Sequence, residues 1–130
     1  MDKGFFPYGW THCNQMENRV RLATLTANEP FLFHTKLGKE YFTGVMTWSL
    51  KGFAKALQTV DVKALEFHNR RGDFESWAKH SLRDEVLARQ LKEIKASKLK
   101  GKELRKAVVD AAKKRFKELS VQVQAAVKLF

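Results

Sequence analysis

The stretch EFHNRRGDFESW at residues 66–77 concentrates the side chains that could do chemistry. A histidine and carboxylates in one cleft can exchange protons when their pKa values are separated. His68, Asp73, Glu75 and the nearby His80 are therefore candidates for a small hydrolase. Asp73, however, stands at the predicted start of a helix, where a carboxylate accepts unpaired backbone N–H groups. Since this structural role is sufficient, we predict that the protein is not an enzyme.

Metal and cofactor motifs are equally sparse. His12 and Cys13 are adjacent, but no CxxC or HxxxH completes a tetrahedral site. His34 and His68 fall on predicted strands and could approach each other in space. The seven glycines are scattered and form neither a Walker loop nor a GxGxxG motif. We therefore predict no metal and no cofactor.

The charge balance points to a polyanionic partner. The chain has 130 residues and a formal net charge of +11, from 25 Lys and Arg against 14 Asp and Glu. Such an excess repels itself and is typical of proteins that bind nucleic acid, although it can also serve solubility alone. A single cysteine excludes a disulfide framework within the chain, and no signal peptide or membrane span is recognisable. These features predict a soluble, cytoplasmic protein.

The first part of the chain is aromatic and favours strands. Thirteen of the fifteen aromatic residues precede residue 78. Alternation of apolar and polar residues predicts strands over 19–26, 31–37 and 41–48. The short loop at residues 38–40 joins the last two in an antiparallel hairpin. In the strand 31–37, Phe31, Phe33 and Leu37 share one face in this interpretation.

Helices follow, and together they predict an α+β fold with a small antiparallel sheet. Ser49 is a predicted N-cap before apolar residues at helical spacing. Residues 62–68 are interpreted as a further strand and residues 69–72 as a turn. Asp73 is predicted to cap a short helix that buries Phe74 and Trp77, and Asp84 to cap the next helix.

The last part of the chain predicts a long helix from about Lys102 to the C-terminus. We divide the chain into an α+β domain, residues 1–94, and a basic linker with a C-terminal helix, residues 95–130. Apolar residues in this helix are spaced 3-4-3-4-3-4, as in a coiled coil. They either dimerise the chain or pack on its own domain. The seam consists of Val109, Ala112, Phe116, Leu119, Val123, Ala126 and Phe130.

Aromatic and basic residues together suggest single-stranded nucleic acid as the ligand. Unpaired bases stack on aromatic rings for about 1–3 kcal/mol each, while Lys and Arg contact the phosphates. A run of ten basic residues between Lys95 and Lys117 either adds phosphate contacts or forms a solvated helix face. The predicted binding residues are Phe6, Tyr8, Trp10, Arg19, Arg21, Lys36, Lys39, Tyr41, Trp48, Arg70 and Arg71.

A family resemblance agrees with this interpretation. The segment ALEFHNRRGDFESWAKHSLRDEVLARQLKEI and the preceding EPFLFHTKLGKEYFTGVMTWSLKGFAKAL together span Glu29–Ile94. They resemble the ThermoDBP-related family of archaeal single-stranded nucleic-acid-binding proteins. The resemblance implies an α+β domain with a leucine-zipper-like C-terminal helix, and an apolar cleft rimmed by Arg70 and Arg71. The seam here contains two alanines and one leucine, so the implied oligomer would be weaker than a leucine zipper, or of higher order.

The sequence thus predicts a non-enzymatic protein that binds single-stranded DNA or RNA largely independently of sequence. It is expected to form a dimer or higher homo-oligomer through its last helix. The alternative is a protein-interaction adaptor that uses the same helix as a coiled coil. The sequence does not choose between DNA and RNA.

Overall fold

The chain folds as a two-stranded antiparallel sheet followed by helices. The computed structural model describes the backbone of residues 25–128 and the side chains of residues 25–122. Within this part there are five α-helices, and the last is long, which confirms the α+β prediction. The elements are β1 (Thr26–His34), β2 (Phe42–Ser49), α1 (Leu50–Thr59), α2 (Val62–Arg71), α3 (Asp73–His80), α4 (Glu85–Ser97) and α5 (Gly101–Lys128).

The predicted hairpin is confirmed, with shifted ends. Strands β1 and β2 pair in antiparallel register, with Leu32 opposite Met46 and His34 opposite Phe42. A 3₁₀ helix at Lys39–Tyr41 lies in the connection. Leu37 does not share a face with Phe31 and Phe33, because the chain leaves the strand after His34. The predicted strand over 19–26 lies almost wholly outside the described residues.

A bulge interrupts the hairpin at its middle. Between the register pairs Leu32–Met46 and His34–Phe42, β1 has one residue and β2 has three. Strand β2 therefore carries two extra residues there. The Thr43 hydroxyl fills the gap: it donates to the Phe33 carbonyl at 2.8 Å and accepts from the Val45 N–H at 3.2 Å. Gly44 takes φ +88°, a conformation that suits glycine.

The predicted strand at residues 62–68 is wrong, because this segment is the first two turns of helix α2. Asp61 caps the helix by accepting from the Lys63 N–H at 2.9 Å. Ala64, Leu65 and His68 are buried together, which is a helical rather than an alternating pattern. Residues 69–71, predicted as a turn, complete the helix, and Gly72 ends it with φ +77°.

Two of the three predicted helix caps are confirmed. The Ser49 hydroxyl accepts from the Gly52 N–H, and the Asp84 carboxylate accepts from the N–H groups of Val86 and Leu87. Asp73 is not a cap. Gly72 occupies that position without a side-chain bond, and Asp73 is the first residue of α3, where its carboxylate binds another side chain.

Aromatic rings fill the space between the inner face of the sheet and helices α1–α3. The Phe31 ring lies 4.7 Å from that of Phe33 and 5.6 Å from that of Phe53, centroid to centroid. Phe74 and Trp77 are buried against the same group, as predicted. Of the nine described aromatic residues that precede residue 78, six are buried.

Helix α5 belongs to the same core as the rest of the described chain. It packs on α1, α2 and α4, and its Leu104 and Val108 are fully buried. Arg105 donates to the Leu57 and Val60 carbonyls at the end of α1, and Arg115 donates to the buried Asp84 carboxylate at 2.8 Å. The boundary predicted at residue 94 therefore does not separate two packing units.

The coiled-coil seam divides into two parts. Val109, Ala112 and Leu119 are buried in the chain's own core, and Phe116 packs against it. This is the alternative in which the stripe packs on its own domain, and of these four residues Phe116 alone stays partly exposed. The Val123 and Ala126 side chains and Phe130 lie outside the described part, so dimerisation there stays a prediction. No described helix combines the length and apolar character needed to cross a bilayer.

Candidate nucleic-acid interface

The two faces of the hairpin have opposite environments. Phe31 and Phe33 point into the core, whereas the intervening Leu32 points outward. On β2, Thr47 is buried, whereas Trp48 is 52% exposed. We call the outward side the outer sheet face. Its large apolar residues, with two from the adjoining loop, are all exposed: Leu32, Leu37, Tyr41, Phe42, Met46 and Trp48.

Pairing in the sheet brings these side chains together. Leu32 and Met46 are register partners, and Phe42 is the partner of His34, whose ring lies 5.3 Å from the Phe42 ring. Large contiguous apolar patches are uncommon on monomeric proteins and usually mark a binding surface. The outer sheet face gathers several exposed apolar side chains, on a chain of strongly positive net charge.

A pocket of about 270 Å³ opens beside this face, at the end of the hairpin. Phe31, Leu32, His34, Lys36, Leu37 and Gly38 line it from the hairpin, and Phe67, His68, Arg71 and Asp73 line it from the helices. We call it the hairpin pocket. Leu32 and Leu37 belong to both the pocket and the outer sheet face, so the two surfaces are continuous.

His68 lines the hairpin pocket and joins the hairpin to the helices. Its side chain is buried, and its ring contacts Phe31, Phe67 and Phe74. The His34 backbone N–H donates to His68 Nε2 at 2.8 Å. Nε2 is therefore the unprotonated nitrogen, and Nδ1 carries the proton that it donates to Asp73 Oδ2, also at 2.8 Å. Burial lowers the pKa of His68, while the hydrogen bond to Asp73 opposes that shift.

This arrangement gives His68 and Asp73 a structural role. Both ring nitrogens of His68 are occupied by protein partners, so neither is available to take a proton from a substrate. Asp73 also lies 3.3 Å from Arg71 Nε. His80, the other histidine of the hydrolase hypothesis, is exposed at the end of α3. The contacts do not bring the four candidate residues into one acid–base group.

Helices close the second edge of β1. The Asn28 N–H donates to the Ser81 carbonyl, and the Trp77 indole N–H donates to the Glu29 carbonyl at 2.8 Å. With the His34–His68 bond, three backbone groups of this edge have partners outside the sheet. These bonds engage part of this edge and reduce the number of backbone groups open to another strand. The outer sheet face remains as the open surface of β1.

Two cationic side chains, Lys36 and Arg71, line the hairpin pocket. Lys36 Nζ lies 5.4 Å from the centre of the Tyr41 ring, and the Arg71 guanidinium lies 5.2 Å from the centre of the Phe67 ring. Both contacts keep a charge beside an aromatic face. Lys39 lies in the 3₁₀ helix and is exposed. The predicted residues Lys36, Tyr41 and Arg71 are thus close to one another.

Other predicted site residues lie elsewhere. Trp48 lies on the outer sheet face but does not line the hairpin pocket. Arg70 faces away from Arg71, because consecutive residues of a helix point in different directions, and it lines another pocket between α2 and the α4–α5 connection. Five predicted residues lie outside the described part: Phe6, Tyr8, Trp10, Arg19 and Arg21.

Sequence reasoning missed several residues of the interface. Leu32, Phe42 and Met46 were not among the predicted binding residues, although alternation offered a signal. Leu32 alternates with two phenylalanines that were assigned to the core, and Phe42, Met46 and Trp48 have the same parity along one strand. The His68–His34 contact was anticipated, but with His68 on a strand rather than on α2.

Within the described residues, no group of three or more His, Cys, Asp or Glu is arranged to hold a metal ion. Comparisons with protein-family models, curated proteins and solved structures give no match to this chain. The resemblance to the ThermoDBP-related family therefore stays a prediction.

Proposed function

We propose that this protein binds single-stranded nucleic acid, DNA or RNA, on the outer sheet face. The observation that carries the proposal is the exposure of aromatic and apolar side chains on a face that is continuous with the hairpin pocket, which Lys36 and Arg71 line. Bases present apolar faces that such side chains can cover, and the cations can contact the phosphates between them.

The shape of the interface favours a single strand over a duplex. In a duplex the bases are stacked on each other, and a protein reaches only their edges in the grooves. An unpaired base can lie flat on Trp48, Phe42 or Tyr41. The hairpin pocket offers a further apolar recess at the same surface, with Arg71 and Lys36 at its rim.

The protein-interaction alternative now concerns a different surface from the predicted one. Three of the first four seam residues of α5 are buried in the chain's own core and the fourth, Phe116, packs against it, so they offer little surface for a docking stripe. Leu32, Leu37 and Met46 give the outer sheet face an aliphatic part that would also suit a protein partner. Binding to such a partner would depend weakly on salt, whereas phosphate contacts are strongly salt-dependent.

The test is a fluorescence-anisotropy titration of labelled oligo-dT, oligo-rU and a duplex at several salt concentrations. We expect tighter binding to the single strands than to the duplex, with a log–log salt slope that corresponds to a few phosphates. Equal and wholly salt-dependent binding to all three would show only general attraction to polyanions and would contradict the proposal.

A matched pair of variants localises the binding. Trp48→Ala removes the largest exposed ring of the outer sheet face. We expect it to weaken binding to oligo-dT about 5- to 100-fold. Val121→Ala removes an exposed apolar side chain from α5, remote in sequence from the hairpin, and should leave binding unchanged. Equal effects of the two substitutions would exclude the outer sheet face as the binding surface.

A further inference from the structure

A second pocket lies between α2 and the α4–α5 connection. It has a volume of about 370 Å³ and is lined by Glu66, Asn69, Arg70, Lys95, Lys98, Leu99 and Lys100. We call it the basic pocket. It shares no lining residue with the hairpin pocket, and Arg70 is the only residue of the predicted nucleic-acid site that lines it.

The charges of the basic pocket are unbalanced. Four cationic side chains line it against one carboxylate, that of Glu66. Glu66 Oε2 accepts from the Gly101 N–H at 3.0 Å, so this carboxylate is engaged at the start of α5. Lys95 approaches Glu75 at 3.9 Å, near the limit of an ion pair. In the described part of the chain, Arg70, Lys98 and Lys100 have no ion pair or side-chain hydrogen bond.

A buried amide in the same pocket lacks a protein partner. Asn69 is 8% exposed, and its side chain makes no hydrogen bond within the described residues. It lies three residues after Glu66 on α2, and residues at this spacing share one helix face. That face is the one that meets the start of α5. The amide atoms of Asn69 are not among the fully buried unpaired atoms, so the amide is open to solvent and free to donate to a group bound in the pocket.

We propose that the basic pocket binds a phosphate group that carries two negative charges, as a terminal phosphomonoester or as free phosphate. The four cations supply charge, and the Asn69 amide supplies a directional donor for a phosphate oxygen. The inference goes beyond the proposed base-binding face, because a ligand without any base would satisfy it.

Lys98 offers a way to remove a charge from the basic pocket without destabilising the fold. It ends α4 with φ +58°, a conformation that glycine adopts at lower cost. Lys98→Gly therefore removes a charge from the pocket while relieving its backbone, and should melt at the same or a higher temperature. The double variant Arg70→Gln/Lys98→Gly removes two charges. Lys113→Gln/Lys114→Gln removes two exposed charges from α5 and is the matched control.

The experiment uses two kinds of probe with the full chain. Oligo-dT with a 5′-phosphate is compared with the same strand ending in a 5′-hydroxyl, by anisotropy, and pyrophosphate binding is measured by calorimetry. For the wild type we expect about a tenfold preference for the phosphorylated strand. The double pocket variant should lose this preference, whereas the control and Trp48→Ala should keep it.

The two probes distinguish a phosphate at a strand end from free phosphate. Loss of the 5′-phosphate preference in the pocket variant alone assigns the pocket to strand ends. The wild type could instead bind pyrophosphate saturably and show no preference for phosphorylated strands. If the double pocket variant loses this pyrophosphate binding, the basic pocket is assigned to free phosphate. If neither probe responds to the pocket variant more than to the control, the proposal is overturned. The pyrophosphate result stands even if oligonucleotides fail to bind the outer sheet face.

Discussion

The two faces of one hairpin use similar side chains for opposite purposes. On the inner face, Phe31 and Phe33 are buried among the rings of α1–α3. On the outer face, Trp48 and Phe42 lie open to solvent. The tryptophans show the contrast most clearly. Trp77 is buried and donates its indole N–H to the Glu29 carbonyl, whereas the Trp48 ring is more than half exposed.

This comparison shows that aromatic content alone does not indicate a ligand. Most described aromatic residues of the first part of the chain are explained by the core. Only those that remain exposed on the outer sheet face call for a binding partner. The function of the hairpin therefore depends on which face of the sheet each residue occupies.

The largest expected effect concerns stability. Phe33→Ala truncates a fully buried ring and should lower the free energy of unfolding by about 3–5 kcal/mol. Trp48→Ala on the other face should change it by about 0.5 kcal/mol or less. Urea unfolding followed by circular dichroism measures both, and Phe33→Leu serves if the alanine variant does not fold. Similar losses at the two positions would remove the distinction between the faces.

The next effect is a pH dependence of stability from His68, which holds the edge of β1. Burial places the folded-state pKa of His68 below its usual value of 6.5. As the pH falls below 6.5, the unfolded chain therefore takes up the proton first. The free energy of unfolding should therefore decline as the pH falls below 6.5.

Two histidine variants test whether His68 causes this pH dependence of stability. His68→Asn should be less stable but should show a flatter dependence on pH below 6.5, whereas the exposed-site variant His80→Gln should retain the wild-type dependence. Urea unfolding at a series of pH values makes the comparison. An unchanged slope in His68→Asn would show that another group causes the acid sensitivity.

The smallest effect concerns a single phosphate contact. Lys36→Gln removes one cation from the rim of the hairpin pocket. We expect the magnitude of the log–log salt slope for oligo-dT to fall by about 0.7, with the preference for single strands retained. A lost preference, or a slope that does not change, would mean that Lys36 does not contact a phosphate in the complex.

Local sequence signals predicted much of the fold. Ser49 and Asp84 were identified as helix caps from residue type and from the apolar spacing after them, and the structure confirms both. Helix α2 was missed because its apolar residues were interpreted as an alternating pattern. Asp61 and Gly72, a capping residue before the segment and a glycine after it, were the signals for a helix.

The candidate interface was less predictable, because it depends on contacts between distant residues. The bond between His34 and His68 joins a strand to a helix that was not predicted. Arg70 and Arg71 were expected to act together, but once they lie on a helix they face different pockets. The seam of α5 likewise has the spacing of a coiled coil, and only packing shows that its first half covers the chain's own core.

The most direct test of the central claim compares the two described tryptophans in one sample. Indole N–H resonances of the ¹⁵N-labelled protein are followed by NMR during titration with oligo-dT, with Trp10→Phe and Trp48→Phe used for assignment. The Trp48 resonance should shift and saturate, while that of Trp77 stays in place. A Trp48 resonance that does not move at saturating oligo-dT would contradict base binding on the outer sheet face.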